Sequence, residues 1–162
     1  MFATGTASFR SALCLALLLT TPVAAQQCRE DRVDIRQDGL RVSIEVEIAD
    51  TDEERARGLM FVEEMAQLEG MLFVYQGQPR QRSFWMRNTL IPLDMLFVAA
   101  DGTVRDIHVN ATPLDETPIP SATDDIFAVL EVNGGLTEML GLTPGAQLRH
   151  PAFDTNPIWP CD

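Results

Sequence analysis

The sequence contains no lysine. Its twelve formal cations are all Arg, set against 24 acids, for a formal net charge of −12. A surface this acidic argues against nucleic acid and against anionic lipid as partners. Histidine is scarce too. His108 and His150 are the only two, and they show neither His-x-His nor His-x-x-x-His spacing, so no metal and no other cofactor is expected. Met60, Met65, Met71, Met86 and Met95 sit singly among Leu and Phe, a pattern of core packing rather than of a soft-metal site. There is no Gly-rich phosphate loop, no Gly-x-Ser-x-Gly elbow and no Cys–His nucleophile pair. Internal repeats, heptads and low-complexity tracts are also missing.

What the N-terminus does have is an address. Arg10 is the only charge in residues 1–25. An apolar run over 12–19 follows, and then Val23-Ala24-Ala25. This is the order of a secretory signal peptide, cut near Ala25. The run falls well short of the roughly 20 apolar residues that span a bilayer, so no stable membrane span is expected after cleavage. Gln26-Gln27 before Cys28 rule out a lipid-attachment pattern. A periplasmic or secreted protein is the expectation. Cleavage removes one Arg and no acid, which leaves 137 residues at a formal charge of −13, enough for one domain with a real core.

Residues 26–39 read as an extended lead-in with a short strand at Val33–Ile35, residues 40–150 as the domain and residues 151–162 as a tail that wraps the surface. Leu40, Val42, Ile44, Val46 and Ile48 alternate with polar residues, as in a half-buried strand. Thr51-Asp52-Glu53-Glu54 spells a capping box for a helix reaching Arg57 and stopped by Gly58. Leu59-Met60-Phe61 inserts apolar bulk, and a second short turn is expected over Val62–Met65. Met71–Tyr75 reads as a buried strand. Asp101-Gly102 is a hairpin signal leading into Thr103–Val109. Residues 110–125, with three prolines, form a long loop. Ile126–Val132 is a buried strand, Leu136–Leu140 a short helix closed by Gly141, and Gln147–His150 a last strand. The fold class is mostly β: a compact antiparallel sandwich or barrel with one or two short helices.

The chain reads as organised around Arg82 to Asp94, a hairpin of strand, Asn88-Thr89 turn and strand, with Pro92 ending the pairing. These residues also carry a resemblance. Glu54-Arg55, Gly58-Leu59-Met60 and Gly70-Met71-Leu72-Phe73 come first, then Phe84-Trp85-Met86-Arg87-Asn88-Thr89 with Ile91-Pro92-Leu93-Asp94, then Leu130 to Gly135. Over about residues 40–150 the chain resembles the family known as domain of unknown function 192. Arg87 stands where that family often has Lys. The resemblance implies a compact, mainly β, jelly-roll-like fold and no agreed activity.

Trp85, Arg87, Asn88 and Thr89 combine an aromatic plate with guanidinium, amide and hydroxyl groups, the equipment of a site for a small polar ligand, a sugar or a peptide. The competing reading is a buried Trp beside a well-capped turn. Asp94 and Glu131 are carboxylates on apolar strands. They serve either as the acid and base of an envelope glycan or peptide hydrolase, or as structural acceptors for Arg or for turn N–H groups such as those after Asn88 or Asn133, with the Asn88–Ile91 loop the expected donor to Asp94. Glu131 is expected to share its face with Phe127 and Val129. The expected function is ligand binding in the cell envelope. The hydrolase and a structural partner of another envelope protein are the alternatives.

Cleavage also removes Cys14, leaving Cys28 and Cys161. An even count in an exported chain points to a bond between them, and domain termini often lie close together. A bridge to a second chain is the competing arrangement.

Overall fold

The computed structural model describes Met1, residues 27–153 and residues 156–161. The signal peptide and its cut after Ala25 lie outside these residues. The order of elements is β1 (Arg32–Gln37), β2 (Leu40–Ala49), α1 (Asp52–Arg57), β3 (Glu69–Val74), β4 (Ser83–Phe84), β5 (Leu93–Ala99), β6 (Val104–Ala111), β7 (Ile119–Pro120), β8 (Ile126–Asn133), α2 (Leu136–Leu140) and β9 (Gln147–Arg149). The local signals act as expected. Thr51 accepts from the Glu54 N–H at 3.2 Å while Glu54 reaches back to the Thr51 N–H at 3.1 Å, and Gly58 closes α1. Residues 62–66 form no regular turn.

Seven strands make one sheet in the order β6-β5-β8-β3-β2-β1-β9, and only β2–β3 is parallel. The lead-in thus supplies a full strand, β1, paired with both β2 and β9. The sheet curls into a half-barrel and its edge strands meet at one corner. Thr103 bridges Gln147, the Val104 N–H donates to Ala146 O at 2.8 Å, and the Leu148 N–H donates to Gly102 O at 2.8 Å. Gly102 permits this approach. It has φ +83°, and a Cβ there would lie 2.5 Å from Leu148 O.

Alternation along the strands sends side chains to two cores. The concave face gathers Ile35, Ile44, Leu72, Leu96, Leu130 and Leu148, closed by Leu136 of α2 and by Phe153. The convex face carries Met71, Phe73, Met86, Met95, Phe97 and Val129. The segments around 59–65 and 84–91 cover it, because an outer face this apolar must be shielded from water.

The expected central hairpin does not form. β4 is two residues long and pairs with β7 in a separate two-stranded sheet. Phe84 is drawn to the convex core, its ring edge-on to Phe73 at 5.2 Å and to Phe97 at 6.0 Å. The Met86 N–H donates to Asp115 O at 2.8 Å, across to the long loop rather than to β5. Packing of one aromatic ring therefore overrides the hairpin pattern.

Cys28 and Cys161 are bonded, with Cα atoms 5.5 Å apart and 133 positions between them. The tail is anchored as well. The Ile158 N–H donates to Asp101 O at 2.9 Å, and Trp159 is buried under the guanidinium groups of Arg36 and Arg149 at 4.5 and 4.6 Å. No helix among the described residues is long and apolar enough to cross a membrane. The disulfide and that finding are compatible with an extracytoplasmic location.

Candidate functional site

The register separates the two carboxylates. Asp94 pairs with Val132, and Glu131 pairs with Met95 on one side and Met71 on the other. Val132 belongs to the concave core, whereas Met71 and Met95 belong to the convex one. Residues directly opposite in a ladder share a face, so Asp94 points inward and Glu131 outward. One residue of offset puts the sheet between them. They cannot pass a proton to each other, and the paired-carboxylate hydrolase has no geometry here.

Asp94 is 0% exposed and fully used. Its Oδ1 accepts from the N–H of Asn110 at 2.7 Å and of Gly135 at 2.9 Å. Its Oδ2 accepts from the N–H of Thr137 at 2.9 Å and from Thr137 Oγ1 at 2.6 Å. The donors are not the expected Asn88–Ile91 loop; the turn after Asn133, the other source read from the sequence, supplies Gly135 and Thr137. All the donors come from the end of β6 and the first turn of α2, where unpaired N–H groups need an acceptor. Asp94 is a structural pin.

Glu131 is 4% exposed and has no hydrogen-bond or ion-pair partner among the described residues. Burial pushes its pKa up to about 8, since removing water penalises the charged form. Gly70 lets β3 close over it, for a Cβ at Gly70 would lie 2.3 Å from Glu131 O. Glu131 shares its face with Val129 but not with Phe127. An irregularity in register between Val98 and Ala99 turns Phe127 to the concave side, where it packs on Phe153. Neither Arg55 nor Arg87 seals either carboxylate. Arg55 bonds the carbonyl oxygens of Asp50 and Val74 and the carboxylate of Asp52.

The Trp85–Thr89 segment sits where three loops converge. The Phe61 N–H donates to Asn88 O at 2.8 Å, the Leu114 N–H to Thr89 O at 3.2 Å, and the Thr89 N–H to Met86 O at 3.1 Å. Phe61, Asn88 and Leu114 all have positive φ, at 65°, 55° and 64°. Asn tolerates this conformation; Phe and Leu do so at a cost, and such strain concentrates at functional positions. The outcome is an exposed apolar rim. Phe61 is 66% exposed, Leu114 60% and Trp85 47%, with Leu90 exposed beside them in sequence. Arg87 holds its guanidinium 5.6 Å from the Trp85 ring centre. Thr89 is buried, its hydroxyl donating to Arg87 O at 3.4 Å, so it shapes the turn rather than facing solvent.

Next to this rim lies a notch of about 320 Å³ over the buried Met86, walled by His108, Asn110, Thr112, Asp115 and Thr117. A larger groove of about 580 Å³ runs beneath the 57–65 segment, with Met71 on its floor and Glu45, Glu47 and Glu64 on its sides. The sequence reading missed Phe61, Leu114 and the notch. Phe61 was expected to insert inward; its positive φ turns it out, and no residue pattern announces that. The second histidine is occupied elsewhere: His150 is buried, accepts from the Ala152 N–H at 3.1 Å and contacts Glu30 O at 2.8 Å.

A curled half-barrel with two faces, and a loop-built aromatic rim over the convex one, describes the class of domain. The chain belongs to the family described as "Uncharacterized ACR", domain of unknown function 192, whose model matches residues 33–150. It is similar to a protein of unknown function from Novosphingobium aromaticivorans, at 44% identity over 79% of this chain and 89% of that one, with TM-score 0.69. It is also similar to a protein of Sinorhizobium meliloti called a "putative transcription regulator", at 41% identity over 76% of this chain and 95% of that one, with TM-score 0.70. No curated protein matches the chain.

Proposed function

We propose that this protein is an exported binding domain, periplasmic or secreted after cleavage near Ala25, that takes a small polar ligand, a sugar or a peptide segment at the rim of Trp85. The observation that carries this reading is that Trp85 stays half exposed at the point where three hydrogen-bonded, strained loops meet. A large aromatic ring held open to water by a rigid frame is costly unless something covers it. Arg87 offers a cation beside the plate, and the notch at Asp115, Thr117 and His108 offers polar partners next to it. The volume of the notch suits one sugar ring or one side chain. The flanking Phe61, Leu90 and Leu114 favour a peptide, because they extend the apolar contact beyond what a sugar face covers.

The regulator name of the Sinorhizobium relative is not carried over. A formal charge of −12 opposes nucleic acid binding. The hydrolase reading is not pursued, since the two carboxylates it needs lie on opposite faces.

The test is fluorescence of a Trp159→Phe chain, in which Trp85 is the only indole, titrated with envelope sugars and peptides. A ligand should shift Trp85 emission saturably, and Trp85→Ala should weaken its binding by at least tenfold. A panel with no effect on Trp85, or a ligand that binds Trp85→Ala equally well, would sink the rim as the site. For export, intact mass of secreted material should show loss of residues 1–25, and a full-length cytoplasmic product would refute it.

A further inference from the structure

Two arginines are equally buried, each 7% exposed, and they are treated differently. Arg149 meets Asp34, donating from Nη2 at 2.7 Å and from Nε at 3.3 Å. Arg82 meets no carboxylate. Its guanidinium carbon lies over the Tyr75 ring, 3.7 Å from the ring centre, and its Nε is buried without an acceptor. No other interaction of its side chain exists among the described residues beyond the electrostatic influence of Tyr75, Arg80 and Arg55. Two of those neighbours are cations. Arg55 lies over the same Tyr75 ring at 5.3 Å.

This is anomalous in a chain with 24 acids and 12 bases. Arginines are easy to pair here, yet one of the most buried has an aromatic ring and no carboxylate as its partner among the described residues. Burial lowers its pKa, yet a guanidinium stays protonated. A buried cation without a counter-ion is unfavourable unless the partner arrives from outside. The backbone is meanwhile held firmly. Arg82 N–H donates to Ser121 Oγ at 3.1 Å, and Ser121 N–H donates to Arg82 O at 2.8 Å. Contact with Tyr75 holds the guanidinium in place, and its planar donor fork matches the two oxygens of a carboxylate or of a phosphate.

We propose that Arg82, held over Tyr75 with Arg80 and Arg55 nearby, is an oxyanion-binding site that takes the carboxylate or phosphate group of a ligand. β4 alone separates Arg82 from Trp85 in sequence, but the proposal stands on the missing counter-ion and not on the open indole.

The experiment follows the Arg82 Nε–Hε signal by NMR in the mature, disulfide-bonded chain. Inorganic phosphate, succinate and chloride are titrated at matched ionic strength. The Arg82 signal should move saturably with phosphate, with succinate or with both. Arg82→Lys keeps the charge but loses the fork, and it should weaken that binding at least tenfold, read from the remaining amide signals. Trp85→Ala should leave the oxyanion titration unchanged, which separates this site from the rim. Saturation by phosphate alone assigns a phosphate ligand; by succinate alone, a carboxylate. Equal movement with chloride, no movement with any anion, or equal affinity in Arg82→Lys overturns the site. Should Arg82→Lys fail to fold, the wild-type titration with its chloride control decides the question.

Discussion

Asp94 and Glu131 are one residue out of register on adjacent strands, both almost completely buried, and they live opposite lives. Asp94 faces the concave side and accepts four hydrogen bonds at 2.6–2.9 Å. Glu131 faces the convex side between Met71 and Met95 and accepts none from the described residues. The difference is set by what each face meets. The concave face runs into the first turn of α2, which supplies orphan N–H donors. The convex face is roofed by apolar residues of loops, which supply none. A carboxylate with donors holds elements together; Glu131, buried without them, keeps its proton to about pH 8. Burial alone therefore says little about what an acidic side chain does.

The largest expected effect comes from Glu131. Its pKa is near 8 in the folded chain against 4.5 when unperturbed. Between those values the native state holds a proton that the unfolded chain has released. Stability should be fully present below about pH 4.5, fall as pH rises, and level off above about pH 8. The full loss is up to roughly 5 kcal/mol from the size of the shift, and structural relaxation lowers it. Glu131→Gln should flatten this part of the profile and exceed wild type in stability at pH 9. Urea melts from pH 5 to 9 measure it. Matching slopes in the two proteins would mean that Glu131 is ionised and that the contrast with Asp94 is false.

The disulfide sets the baseline for that comparison. Cys28 and Cys161 lie outside the sheet that carries both carboxylates. Cys28→Ser with Cys161→Ser frees a 133-position loop, a loss of at most about 5 kcal/mol in the chain-entropy view. The loss should add to the effect of either carboxylate variant, whatever its sign, as independent sites do. Strong non-additivity in melting would show that the clasp and the carboxylates share a structural unit.

Asp94→Ala should cost about 3 kcal/mol, because it strands buried donors of which each unmet one costs roughly 1–3 kcal/mol. Unlike Glu131→Gln, it should destabilise at every pH from 6 to 9. A melting temperature equal to wild type would remove its structural role.

Much of this fold could be read from residues. The alternation from Leu40 to Ile48, the capping box at Thr51 and Glu54, the Gly141 stop and the Asp101-Gly102 turn all act through contacts a few positions apart, so local chemistry decides them. The Cys28–Cys161 bond followed from counting. The resemblance carried the family. What failed to show depends on partners distant in sequence. Phe84 leaves the expected hairpin for Phe73 and Phe97. Asn110, 16 positions from Asp94, donates to it unannounced, although the turn after Asn133 that supplies the other donors was readable. The opposite faces of Asp94 and Glu131 rest on a one-residue choice of register, which no single strand encodes. Trp85 and Arg87 were readable as candidates because aromatic and guanidinium groups in a turn are conspicuous. Phe61 and Leu114 were not, since their exposure comes from backbone angles that bulky residues seldom adopt.

The smallest effect isolates one bond of the Asp94 cluster. Thr137 is 1% exposed, and its hydroxyl donates to Asp94 Oδ2 at 2.6 Å while its N–H donates to the same oxygen at 2.9 Å. Thr137→Val keeps the shape and the N–H and removes only the hydroxyl. A hydrogen bond to a charged acceptor is worth roughly 1.5–3 kcal/mol, and the surviving N–H keeps the loss near the lower figure. The informative measurement is the same substitution made in Asp94→Ala. There the hydroxyl has already lost its acceptor and is buried without one, so replacing it by a methyl group should cost almost nothing or stabilise the chain. The coupling between the two positions should therefore be about 1.5 kcal/mol. Val at 137 in Glu131→Gln should show no such coupling, because Glu131 faces the other side of the sheet. If Thr137→Val costs as much with Asp94 absent as with it present, the hydroxyl acts through packing alone, and the pinned carboxylate is held by its backbone donors.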